Sequence, residues 1–434
     1  MIGRFPWDPF PPGEPVPSGD DPLLAAIYRG AVEGGDAYRA VRSALRRESG
    51  VLRVGNRFVP DGRYREVAFV ALGHAATSMA LAVLHVFGDR VTQGFVAGPE
   101  EPPAAVPFRS ETIEDGWGGS EAAPHVVEAT REIVAGLTES DLFLLLVSPG
   151  ALRALLVPPS GVPPQAFSGL LQHLYGQGAS GADVVEVARV AGAGGVGGRL
   201  LPSGVAADVQ CLIVDRGDGP VSTGGGPTFP VTEAERTHVR ATLERAGALD
   251  QLPEGDPERP GGGPTVPEHR PVVVAAPADG LRASADVAVD KGYTARVGVL
   301  DLHERPAAAA ERFVASVETV LSSERLEPGG RSKGLVVFAT TTLDLPEGVL
   351  ERPACEEFLT CARGTLRRRE MSVGLFRTSG PTESLSDFAG GVVGAPGDPE
   401  SRARAGVLRP VRMRPGITDV GLVAAAVVPL TGGH

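Results

Sequence analysis

The sequence predicts an α/β fold made of two three-layer α/β/α domains with a cleft between them. Three observations carry that expectation. Short apolar runs alternate with segments of helical spacing. A stretch dominated by Gly and Pro, residues 251–270, interrupts the alternation, which then restarts. Finally, 434 residues of which 42% are hydrophobic supply ample apolar surface for two cores.

Residues 1–22, rich in Pro and holding Phe5, Trp7 and Phe10, read as an extended arm that packs on the body or on a partner. A first domain, Rossmann-like, is expected over 23–250. It opens with two helices between Leu23 and Ser49, Asp36 serving as an N-cap between them. Val67 to Leu72, Gly94 to Ala97, Leu142 to Val147 and Val209 to Val214 are almost wholly apolar, as strands buried on both faces must be. Ala75 to Phe87, Glu121 to Ala135 and Pro164 to Tyr175 lie between them with helical periodicity. After the linker at 251–270 the second domain, 271–434, begins with a strand at Pro271 to Ala275, a helix at Asp279 to Lys291 and a strand at Ala295 to Leu300. A helix at Ala307 to Ser323 follows. Gly334 to Ala339 and Thr342 to Leu345 read as strands meeting at a bend, Cys355 to Arg369 as a helix, and Val373 to Arg377 and Gly421 to Val428 as strands. Ligands of such proteins bind between domains and beyond the carboxyl ends of parallel strands.

Composition narrows the function. A net charge of −12 argues against nucleic acid as a partner, which needs a basic face. The run Arg367 to Arg369 reads as a solvated helix end. Cys211, Cys355 and Cys361 are too few and too badly spaced for a disulfide framework or a zinc site, and they suit a reducing cytoplasm. No segment has the order of a signal peptide, and no run approaches the roughly 20 apolar residues of a membrane span, so no membrane is expected. Only two lysines occur, Lys291 and Lys333, and a single asparagine, Asn56. Abundant Ala, Val, Gly and Arg make part of that scarcity a matter of coding bias.

The motif of most chemical interest is Val67 to Ala80, an apolar run ending in Gly73 and passing straight into a small-residue helix start. Such a turn presents free N–H groups to an anion. With three further landmarks it resembles the class II glycerate 2-kinase family, also called the MOFRL family, over nearly the whole chain from Leu23. The family's A-x-G-K-A is similar to Ala71-Leu72-Gly73-His74-Ala75, and its K-G-G-R-L to Val196-Gly197-Gly198-Arg199-Leu200. Its aspartate-rich loop ending in S-G-P-T resembles Asp215 to Thr228, which ends Gly225-Gly226-Pro227-Thr228. A T-D-G-x-D-G-P-T stretch resembles Thr378 to Gly391 in the second, MOFRL-like domain. The resemblance implies the two-domain fold, ATP and Mg as cofactors of an active member, and a phosphate cradle at the strand ends.

The departures fall on polar groups. The lysine of the first motif is His74, and the S-G-G-G-S-A-L cradle is Ser148-Pro149-Gly150-Ala151-Leu152-Arg153-Ala154. Proline removes one donor N–H, and leucine crowds a place that suits Gly or Ser. Arg189 survives, while two further lysines become Val190 and Val196. The residues left for a ligand are Gly73, His74, Ser148, Arg153, Arg189, Arg199, Asp215, Asp218, Gly226, Thr228 and Thr378, with His74 and Arg189 the candidates for a catalytic group. Asp215 and Asp218 could hold a divalent cation or cap the following turn. His74 could act as a base or donor, or merely fill the space of a lysine.

Two readings follow. In one the chain is a pseudoenzyme that kept the fold and works through a bound small molecule, a protein partner or a homo-oligomer. In the other it is an active or repurposed phosphotransferase on a small hydroxy acid, using ATP and Mg, with His74, Arg153 and Arg189 replacing the lost lysines.

Overall fold

The computed structural model describes residues 22–99, 101–102, 106–113, 118–217, 219–251, 271–302, 304–323, 332–341, 344, 351–366, 371–377, 390–394, 406–408 and 422–429. The arm before Pro22, most of the linker, Asp218, Thr378, the Arg367 to Arg369 run and most of the strand expected at Thr342 to Leu345 lie outside them.

The first sheet has six strands, all parallel, in the spatial order Val272–Ala275, Asp208–Val214, Leu142–Val147, Val67–Leu72, Val91–Gly98, Arg109–Thr112. Both faces are covered, which is why its central strands are apolar without alternation. Ala68, Val70 and Leu72 face one apolar cluster with the helices Ala123–Ala135, Pro164–Gly176 and Gly181–Ala191. Val67, Phe69 and Ala71 face the other, with Ala37–Ala44 and Ala76–Phe87. Asp36 caps Ala37–Ala44 as the sequence predicts, its carboxylate accepting from the Arg39 amide.

The second sheet also has six strands, in the order Thr294–Leu302, Gly334–Thr341, Leu422–Pro429, Ser372–Arg377, Gly390–Gly394, Gly406–Leu408, and is mixed. Only the first pair is parallel; the other neighbours run antiparallel. Leu335, Val337 and Ala339 pack under the helices Pro306–Ser323 and Glu351–Thr365. Val336 and Phe338 pack on the opposite side under Pro277–Asp290 and Pro22–Gly34.

Two elements cross from one half of the chain to the other. The strand expected to open the second domain instead forms the edge of the first sheet, Leu212 pairing with Val272. The first helix, Pro22–Gly34, instead covers the second sheet. It approaches Pro277–Asp290 closely enough that a Cβ on Gly34 would stand 2.5 Å from the Asp279 carbonyl oxygen, and the Ser284 hydroxyl donates to the Ile27 carbonyl. A further link is Asp344: its carboxylate accepts from the amide of Gly181, the first residue of Gly181–Ala191, and its carbonyl accepts from the Tyr175 hydroxyl. The Arg305 guanidinium lies 4.5 Å from the centre of the Tyr175 ring.

A small antiparallel sheet, Arg47–Glu48, Val51–Val54 and Arg57–Pro60, is an addition that apolar patterning does not reveal, because its side chains are largely exposed. Its two-residue turn at Ser49–Gly50 takes positive φ at both positions. The sheet is tied to the first domain through Asp208, which accepts from Arg57 at 3.0 and 2.9 Å and from the Tyr64 hydroxyl at 2.6 Å. Burial alone would raise the Asp208 carboxyl; the hydrogen bonds from Arg57 and Tyr64 outweigh it and hold the group below its ordinary value. A depressed carboxyl contributes stability above its unfolded value, near about 3.9, and loses it as pH falls through the folded one. Tyr64→Phe should therefore cost about 1 kcal/mol at pH 7 in urea melts, with the difference shrinking below about pH 4.

Candidate functional site

Strand order in the first sheet reverses beside Val67–Leu72: the chain builds outward to Val91–Gly98 and then returns to add Leu142–Val147 on the other flank. Such a switch point opens a crevice at the carboxyl ends of the two central strands. Those ends are Gly73 and Ser148.

Gly73 has φ +97° and admits no side chain: a Cβ there would stand 2.4 Å from the Ser148 carbonyl oxygen and 2.6 Å from that of Pro149. The His74 amide donates to the Pro149 carbonyl at 2.8 Å. Ser148 is fully buried and its hydroxyl is satisfied, donating to the Leu72 carbonyl at 2.9 Å and accepting from the Ala75 amide at 3.0 Å. The two strand ends are thus stitched to each other. The His74 ring lies over Gly150, 2.6 Å from where a Cβ would be, so Gly150 is required by the imidazole as well as by its own φ of +89°.

Gly150 leads into the short helix Ala151–Leu155, which packs against the turn at 223–226. A Cβ on Gly225 would meet Leu152 Cδ1 at 2.6 Å and Val196 Cγ1 at 2.9 Å. Both side chains therefore rest directly on the glycine backbone, and with Val190 they belong to one buried apolar cluster. The amides of Gly197 and Gly198 donate to the carbonyls of Gly225 and Gly226, each at 2.9 Å. The Ser148 hydroxyl and the amides of His74, Ala75, Gly197 and Gly198 are thus turned to the protein itself.

The expected cations take separate posts. Arg189 is 2% exposed; it pairs with Glu235 and donates to the carbonyls of Phe229 and Pro230 at 2.9 and 3.0 Å. Its Nε lies 2.8 Å from the place of a Cβ on Gly226, whose φ is +60°. Arg199 donates to the carbonyls of Arg189 and Gly192 at 3.0 and 2.6 Å, closing the carboxyl end of Gly181–Ala191. Arg153 is buried on Ala151–Leu155, with its carbonyl taking the Ser120 amide. One carboxylate oxygen of Asp215 accepts from the amides of Gly217 and Gly219 and from the Thr223 hydroxyl, at 3.2, 3.2 and 3.1 Å, so it caps its own loop. The Thr228 hydroxyl is buried without a hydrogen-bond partner among the described residues, and burial pushes the Cys211 thiol up to about 12. Asp218 and Thr378 lie outside the described residues.

Glu235 is a residue the sequence reading overlooks. Its signal was local: Thr232 and Glu235 form a capping box at the start of Glu233–Arg245. Burial raises the Glu235 carboxyl, but the Thr232 hydrogen bonds and the Arg189 charge overcome this and hold it below its ordinary value.

The fold and its relatives together define a glycerate kinase-like α/β protein. Residues 23–255 match a family described as a domain of unknown function (DUF4147), and the chain belongs to that family. A glycerate kinase of Danio rerio is 27% identical over 246 residues, 52% of this chain and 48% of that protein, so the chain spans about half the length of that relative. Among solved structures, a protein of Pyrococcus horikoshii OT3 superimposes with a TM-score of 0.65, and the glycerate kinase of Thermotoga maritima with 0.64. Each is 20% identical and covers 94% of this chain and 98% of its own, which shows the shared fold. Among the described residues no helix is long and apolar enough to cross a membrane.

Proposed function

We propose that this chain is a glycerate kinase-like protein that retains the fold without ATP-dependent glycerate phosphorylation, acting as a pseudoenzyme through a bound small molecule or a protein partner, a second copy of itself included. The observation that carries the reading is the seat of Leu152 and Val196 on Gly225. Those positions resemble a Gly/Ser cradle and a lysine in the family pattern, and here they present methyl groups.

Phosphoryl transfer rests on charge neutralisation and positioning. An ATP–Mg complex fits this arrangement poorly, because an Asp215 oxygen is engaged by its loop, Arg189 is committed to Glu235, and Ser148 is spent on the Leu72 carbonyl and Ala75 amide. Each lost electrostatic donor costs about 10²–10³ in rate, so losing three lysines and the cradle removes the reaction. The same reading keeps two domains joined through 251–270, with the strand Val272–Ala275 counted to the first and the helix Pro22–Gly34 to the second, and takes the reducing cytoplasm as the compartment suited to three cysteines without a disulfide framework.

A coupled assay with D-glycerate, ATP and Mg should show no turnover, and His74→Lys should not restore any, since Pro149 still lacks an N–H and the side chains of Leu152, Val190 and Val196 still supply neither donor nor charge there. Calorimetry with ATP and Mg should give no saturable heat up to about 1 mM nucleotide. Turnover near the usual median of about 10 per second would falsify the pseudoenzyme reading. So would an activity that His74→Ala lowers about 10²-fold with folding intact, the scale of a positioned acid or base.

A further inference from the structure

The helices Gly181–Ala191 and Glu233–Arg245 pack side by side, and three donor groups meet along their solvent edge. Asp183 and Glu186, three residues apart, share a face of the first helix. His238 reaches them from the second: its Nε2 lies 2.7 Å from Asp183 Oδ1 and 3.8 Å from Glu186 Oε2. One donor atom from each residue lies within 4.8 Å of the other two. We propose that Asp183, Glu186 and His238 form a site for a borderline divalent transition metal, with Zn²⁺ the ion that fits the donor set best.

Donor chemistry decides the class of ion. One imidazole nitrogen with two carboxylates suits Zn²⁺, whereas Mg²⁺ and Ca²⁺ take oxygen donors. Bonds of 2.0–2.2 Å set tetrahedral donors about 3.4 Å apart, and the separations of 2.7 and 3.8 Å here bracket that spacing. Small side-chain rotations therefore suffice.

The donors are also held in place. The Ser180 amide donates to Asp183 Oδ2 at 2.9 Å, fixing that carboxylate and leaving Oδ1 turned to the imidazole. Both helices begin in a capping box, so the backbone under all three donors is set before an ion arrives. To bind the ion, Nε2 must be free of a proton, so Nδ1 carries the imidazole proton in the metal-bound state. Three protein ligands leave a fourth position for water. The ion would clamp the two helices whose other cross-link is the Arg189–Glu235 pair.

The test uses the full chain, free of any polyhistidine tag and stripped with chelator. Zn²⁺ titrated by calorimetry should bind one ion per chain, with excess Mg²⁺ failing to compete. His238→Ala and Glu186→Gln should each weaken binding at least about tenfold, with circular dichroism unchanged. Glu186→Gln keeps the volume of the side chain, so it serves if the alanine variant folds poorly; Asp183 is left intact because it caps its helix. Co²⁺ in place of Zn²⁺ should show a d–d band without a thiolate charge-transfer band. No heat up to about 100 µM Zn²⁺, binding unaltered in both variants, or a thiolate band placing the ion on a cysteine would each overturn the proposal.

Discussion

Glu235→Ala should lower the unfolding free energy by about 3–4 kcal/mol, read as a fall in urea midpoint at unchanged slope. The loss arises because the guanidinium of Arg189 stays buried when its carboxylate is removed, and an uncompensated buried charge costs far more than the pair is worth. About 1 kcal/mol of the effect belongs to the helix cap, which Thr232→Ala removes alone. The remainder identifies the ion pair. Since the Glu235 carboxyl is depressed in the folded state, its contribution is present above the unfolded value of about 4.3 and disappears as pH falls through the folded one. A Glu235→Ala variant as stable as the parent at pH 7 would mean that Arg189 is solvated or free to face a ligand, and Arg189 would return as a catalytic candidate.

Gly73→Ala should cost about 3–5 kcal/mol, combining a positive φ that alanine tolerates poorly with a clash against two immobile carbonyls. Gly50 is the control. Its φ is +79° and nothing lies within 4 Å of its missing Cβ, so Gly50→Ala carries the conformational cost alone, about 1 kcal/mol. The difference between the two variants measures how tightly the strand ends at 73 and 148 are stitched. Equal losses would show that the turn at 73 yields and that the two strand ends are not tightly stitched.

The buried strands were legible in the sequence because burial on both faces erases alternation: Val67–Leu72 and Leu142–Val147 coincide with their apolar runs residue for residue. Helix ends drifted by one or two residues where no side-chain cap marks them, as at Ala76–Phe87 and Ala123–Ala135. The strand Arg109–Thr112 escaped notice, since an edge strand with exposed side chains leaves no apolar trace. Gly181–Ala191 is less legible as a helix, because it starts on a glycine and runs into the Gly-rich stretch from Gly192, which blurs its apolar period. At the site, the loss of lysines and glycines could be read directly, whereas the destination of each surviving charge could not. Arg189 and Glu235 are 46 positions apart, and periodicity carries no information about which distant carboxylate a guanidinium meets.

The exchange of elements between the two sheets makes the chain a topological clasp. Severing it within 252–270 would leave the leading fragment without the strand Val272–Ala275 that finishes its sheet, and the trailing fragment without the helix Pro22–Gly34 that roofs Val336 and Phe338. Neither piece has a closed core by itself, yet each carries what the other lacks. The two should be insoluble apart and recover a native assembly when produced together, as split reporters do, and unfolding of the intact chain should begin with neither half alone.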